Sequence, residues 1–175
     1  MKMKPTIIET GFTLVELILV ISLVGVTLGL ATDIILSLTR AYAKTQINNE
    51  LEQNSNFVFQ KLEKELRTST SQISISSSNS QISFNNVDGD QITYKVENGA
   101  VLRRIEALGT FESLTNDDSV NGVYVTCTEC FYLNPSPLAN IIRLNITFSQ
   151  PLGENKKPFT GSVTLDNTIV VRGSY

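Results

Sequence analysis

From Phe12 to Leu38 the chain is almost wholly apolar, and the only charges in that run are Glu16 and Asp33. Few folds can absorb such a segment. Its uncharged part, Leu17 to Thr32, is sixteen residues. With Phe12–Val15 and Ile34–Leu38 it reaches the roughly 20 residues that cross about 30 Å of hydrocarbon. A buried core helix is the competing use, but no other part of the chain is apolar enough to cover this one on all sides. The run therefore predicts a membrane helix. A secretory signal has a shorter apolar core, of about 7 to 15 residues, followed by a small-residue cleavage site. Here the run is longer and a glycine precedes it, although "GLATD" beyond it imitates such a site.

The helical pattern continues past the run. Ile47, Leu51, Val58, Leu62 and Leu66 fall on one stripe, with Glu50, Glu52, Glu63 and Lys64 away from it. No proline or glycine occurs between Ala31 and Leu66. The expectation is one helix over residues 12–66, about 80 Å long at 1.5 Å per residue; a break near Asp33 is the alternative. After it, "TSTSQISISSSNSQ" reads as a loop or an exposed edge strand. Short strands follow: "QISFNN", a turn at Asp88-Gly89, "QITYKVE", the hairpin signal Asn98-Gly99, then "AVLRRIEAL", "GVYVTCTECFYL", "IIRLNITFSQ" and "SVTLDNTIVVRG". Strands in succession without intervening helices predict a mainly antiparallel sheet. The fold class is thus α+β, a long N-terminal helix whose second half packs on a small antiparallel sheet. The expected organisation is a leader over 1–11, an apolar helix over 12–38, its amphipathic continuation over 39–67 and a β-rich head over 68–175.

Charge and composition exclude more than they assign. There are 14 Lys and Arg against 17 Asp and Glu, and no histidine. No basic footprint for nucleic acid is present, and the commonest general base and neutral metal ligand are missing. No catalytic residue, cofactor or metal is expected; the "NVDGDQ" turn offers oxygen atoms, but a turn is the commoner use of such a sequence. Cys127 and Cys130 cannot complete a zinc site alone. In strand-like flanks they read as a local disulfide if the head lies outside the cytoplasm, with free thiols as the alternative. Arg103 and Arg104, beside the hairpin, read as solvated surface charges.

The stretch "GFTLVELILVISLVGV" resembles the class III signal of type IV prepilins and type II secretion pseudopilins. A short basic leader with Lys2 and Lys4, the Gly11-Phe12 junction, Glu16 in fifth place after it and the apolar span all agree. "ITYKVENGAVLRRI" and "TIVVRGSY" look like the hairpin and last strand of minor pilins and J-type pseudopilins. The span lacks the kinking proline of many major pilins. The resemblance implies cleavage after Gly11 by a membrane prepilin peptidase and methylation of the new amino terminus at Phe12. It also implies a single-pass protein of the cytoplasmic (inner) membrane, N-terminus inside and head outside, later moved into a periplasmic or surface filament near its tip. The implied partners are other pilins or pseudopilins, the peptidase, the inner-membrane assembly platform, and lipid before assembly; no nucleic acid is expected. A membrane-anchored binding protein that never polymerises is the competing class.

On that reading Glu16 acquires a partner. A carboxylate within a membrane segment is costly and marks function by default. Staggered neighbours would set the acid of one subunit against the terminal ammonium of another, offsetting the desolvation of both; an acid near the interface that reaches the headgroups and pairs with nothing is the alternative. Gly25 and Gly29 form a GxxxG pattern that suits close helix packing, and chance in a glycine-tolerant span explains it equally well.

Overall fold

The computed structural model describes residues 11, 13–70, 73–116, 122–135, 139–150 and 161–172. Its first element is one unbroken helix, α1, Leu14–Arg67, of 54 residues; the break near Asp33 does not occur. The chain divides into two units, Met1–Tyr42 and Ala43–Tyr175, with the boundary inside α1.

In the second unit α1 buries the expected stripe. Leu51, Val58, Leu62 and Leu66 are buried and Ile47 packs partly against them. Ser55 fills the gap in the stripe, buried, its hydroxyl donating to the Glu52 carbonyl at 3.1 Å. Each fully buried leucine contributes about 1.5–3 kcal/mol, so this face holds the helix to the head. The helix ends where hydroxyls take over its free carbonyls: Thr68 Oγ1 donates to the Lys64 carbonyl at 3.1 Å and Ser69 Oγ to that of Leu66 at 2.7 Å.

Two antiparallel sheets form the head, where the sequence predicts one. The first is a meander of β1 (Ser74–Ile75), β2 (Gln81–Asn85), β3 (Gln91–Glu97), β4 (Ala100–Ile105) and β5 (Phe111–Ser113), in that order. β3 and β4 are joined by Asn98-Gly99, whose φ angles of 51° and 78° make the mirror-image turn that matches strand twist. "AVLRRIEAL" is a strand only to Ile105; Glu106–Leu108 form a 3-10 turn closed by Gly109 at φ 71°. Ile82, Phe84, Ile92, Tyr94 and Val101 are buried on a shared face.

The second sheet is built on β8 (Ala139–Ser149). β9 (Ser162–Arg172) pairs along one side of it, and β6 (Tyr124–Thr126) and β7 (Phe131–Pro135) share the other. The stretch read as one strand, "GVYVTCTECFYL", is thus two. Thr126 faces Thr147 and Phe131 faces Leu144, so five residue steps on one side span three on the other. The excess of two is even, and side chains alternate with a period of two. Val125 and Phe131 therefore both stay buried.

Turns of the first sheet meet the outer side of β6 and β7. The Val125 N–H donates to the Gly99 carbonyl at 2.8 Å, and the Phe131 N–H to that of Asn79 at 3.0 Å. At Gly99 a Cβ would run into the Tyr124 ring, so glycine is required there by contact as well as by φ.

Candidate functional site

Among the predicted processing and assembly residues, Phe12 lies outside the described residues, as do residues 1–10 of the leader. Gly11 is exposed. Glu16 stands in the first turn of α1. Its backbone N–H donates to Thr13 Oγ1 at 3.3 Å and to the Thr13 carbonyl at 3.1 Å. Thr13 caps the helix, and Thr-Leu-Val-Glu is the Ser/Thr-x-x-Glu pattern of a capping box. That signal is local and present in the sequence. It places Glu16 where the helix dipole favours an acid, by about 0.3–1 kcal/mol.

Beyond Glu16 the first unit presents an uncovered apolar surface. None of its most apolar stretch is buried. The helix is long and apolar enough to cross a membrane. Its hydroxyls do not spoil that character: Ser22 donates to the Ile18 carbonyl at 2.8 Å, Thr32 to that of Leu28 at 2.8 Å and Thr39 to that of Ile35 at 2.8 Å. Thr27 does the same toward Leu23 and Val24. With these four hydroxyls satisfied inside the helix, the charges Glu16 and Asp33 are the costliest groups of the run. Gly25 and Gly29 both face open space.

The head holds a polar cluster that sequence reasoning misplaced. Arg103 is no solvated charge: its side chain is 12% exposed and its guanidinium straddles Glu65 of α1, at 2.7 and 3.2 Å. The Tyr94 hydroxyl donates to the same carboxylate at 2.6 Å. Burial pushes the Tyr94 phenol well above its ordinary range, and the Glu65 charge adds to this. Burial alone would lower the Arg103 pKa, but the Glu65 partner outweighs it and the net shift is upward. Arg104, on the opposite face of β4, is also not free: it pairs with Glu106 at 2.7 Å and lies over the Phe111 ring, 4.9 Å from its centre. The available signal was strand parity, since Arg103 shares a face with the apolar Val101 and Ile105.

Cys127 and Cys130 are joined as a disulfide that closes the two-residue excursion between β6 and β7. Cys130 is buried, and its carbonyl accepts from the Asn145 N–H of β8 at 3.1 Å. No cluster of side chains suited to a metal occurs among the described residues. Comparison with known protein families, with curated proteins and with solved structures finds no match to this chain.

Proposed function

We infer that the chain is a minor pilin or pseudopilin: a structural subunit cleaved after Gly11, methylated at Phe12, held in the cytoplasmic membrane by its helix and then moved into a filament at or near the tip. The observation that carries this is the placement of the acid Glu16 in the first turn of α1, at the head of its apolar, uncovered first stretch and directly after the Gly11-Phe12 junction. Surface of that kind needs lipid or protein to cover it, and a subunit that exchanges one for the other meets the requirement in both states. The unbroken α1, without a proline, agrees with the straight helix expected of such a subunit.

Intact-mass analysis of the chain from cells that contain a prepilin peptidase tests this. The expected product begins at Phe12 and carries one added methyl group. A chain that keeps residues 1–11 in such cells, or one cut near Ala31, refutes the assignment. Glu16→Ala is expected to leave cleavage intact and to impair methylation or assembly.

A further inference from the structure

The strands of the second sheet turn Val125, Phe131, Leu144 and Leu165 inward, and their alternate residues form a second face toward solvent. On that face Tyr124 lies opposite Ser149 of β8, and Tyr132 opposite Arg143. Both rings are about half exposed, at 47% and 55%. They flank β8 on the same side, and Ser149 and Arg143 are six residues apart along it, about 20 Å. Between the rings come Thr126, Asn145, Thr147 and the loop closed by Cys127 and Cys130, whose Thr128 and Glu129 are exposed.

A depression of about 520 Å3 opens here, lined by Thr128, Glu129, Tyr132, Arg143 and Asn145. Its size is that of a small-molecule site, but such sites are mostly apolar, and this one sets a single ring among four polar side chains. A second depression, of about 280 Å3, shares Thr128 with it. The groups are held in place. Asp166 grips Arg143 through two bonds, at 3.0 and 2.8 Å, which leaves three of its five N–H donors outside the pair. The disulfide ties down the loop that carries Thr128 and Glu129, and the Tyr124 ring lies against Gly99. Groups fixed before binding lower its entropic cost.

Together these groups fit a sugar. A pyranose has a face of C–H groups that stacks on an aromatic ring, and a rim of hydroxyls that both donate and accept. Glu129 accepts, Arg143 donates, and the Asn145 amide and Thr128 hydroxyl do both. A protein partner would require an apolar centre to the patch, and hydroxyls, an amide and charges stand there instead. Strand β8 is paired on both sides, so it offers no free backbone edge to an extended peptide. Charge narrows the class further. Glu129 and Asp166 outnumber Arg143 on this face, so an acidic sugar is repelled and a neutral one is not.

We propose that this face is a binding site for a neutral glycan, whose rings stack on Tyr132 and Tyr124 and whose hydroxyls bond to Arg143, Asn145, Thr128 and Glu129. The site stands apart from the filament reading, since every group involved belongs to the head.

Saturation-transfer NMR on the full-length chain, in a detergent without sugar headgroups, tests the site. The probes are cellotetraose, maltotetraose and chitotetraose as neutral glycans, with tetragalacturonate as the acidic one. At least one neutral probe is expected to bind, and tetragalacturonate to bind about ten-fold more weakly or not at all. Tyr132→Ala and Asn145→Ala should each weaken the neutral probe about ten-fold. Phe57→Ala, which removes an exposed ring from α1, should leave binding unchanged. Tyr132 and Asn145 are exposed, so both variants should keep the fold, checked by far-ultraviolet circular dichroism. Absence of binding by all three neutral probes overturns the proposal. So does binding that survives Tyr132→Ala, or tetragalacturonate bound as tightly as the neutral chains. If no glycan binds and Tyr132→Ala removes the chain from filaments, the face is a protein interface and the glycan site falls. Intact mass of the same preparation, from cells that contain a prepilin peptidase, keeps the two readings apart. A chain matured at Phe12 that binds no glycan refutes this site alone, and a glycan-binding chain that keeps residues 1–11 refutes the filament reading alone.

Discussion

Removing the Glu65 carboxylate tests whether α1 and the first sheet are locked by charge as well as by apolar contact. In the folded head that carboxylate accepts from Arg103 through two nitrogens and from the Tyr94 hydroxyl. Glu65→Ala would leave the Arg103 guanidinium, 12% exposed, without its counter-charge. Breaking a fully buried pair from one side costs about 3–5 kcal/mol. Here the Glu65 side chain is 19% exposed, so water screens part of the loss and about 2–3 kcal/mol is expected. Replacing both ends, as Glu65→Met with Arg103→Met, removes the stranded charge and should lie within about 1 kcal/mol of the native protein. The assay is urea unfolding of the intact chain in detergent, followed by near-ultraviolet circular dichroism of the tyrosines. The coupling between the two positions should come out near 2 kcal/mol. A single-variant cost below about 0.5 kcal/mol, equal to that of the double variant, would mean an ordinary solvated pair and would refute the reasoning.

Alkaline titration reads the same cluster from another side. The Tyr94 phenol is raised by burial and by Glu65, so its contribution is complete below the unfolded value near 10 and is lost as pH rises above it. The slope from this group approaches about 1.4 kcal/mol per pH unit, and Tyr94→Phe should flatten that part of the curve. Gly99→Ala adds a Cβ that meets the Tyr124 ring on a backbone at φ 78°. A loss of about 2–3 kcal/mol in urea unfolding is expected, and adding Tyr124→Ala should recover only the part due to the collision.

The parts legible in the sequence are those fixed by neighbours along the chain. The stripe from Ile47 to Leu66 is a matter of helical period, and Asn98-Gly99 of backbone φ; both need no knowledge of distant residues. Thr13 and Glu16 are equally local, three residues apart in the Ser/Thr-x-x-Glu pattern of a helix start. The division into two sheets was not legible, because it depends on which strand pairs with which, and β8 accepts three partners at long range. Arg103 and Arg104 look alike as a pair of adjacent cations. Alternation along β4 sends the first toward Glu65 and the second toward Glu106; parity with Val101 and Ile105 tells their faces apart, but that Glu65 of α1 waits on the inner one depends on long-range packing.

The loop closed by Cys127 and Cys130 decides where extra length can go in this head. A residue taken up within that loop leaves Phe131 opposite Leu144, whereas one that slides β7 along β8 by a single place turns Phe131 toward water. Added chain is therefore tolerated only where the loop, and not the ladder, absorbs it.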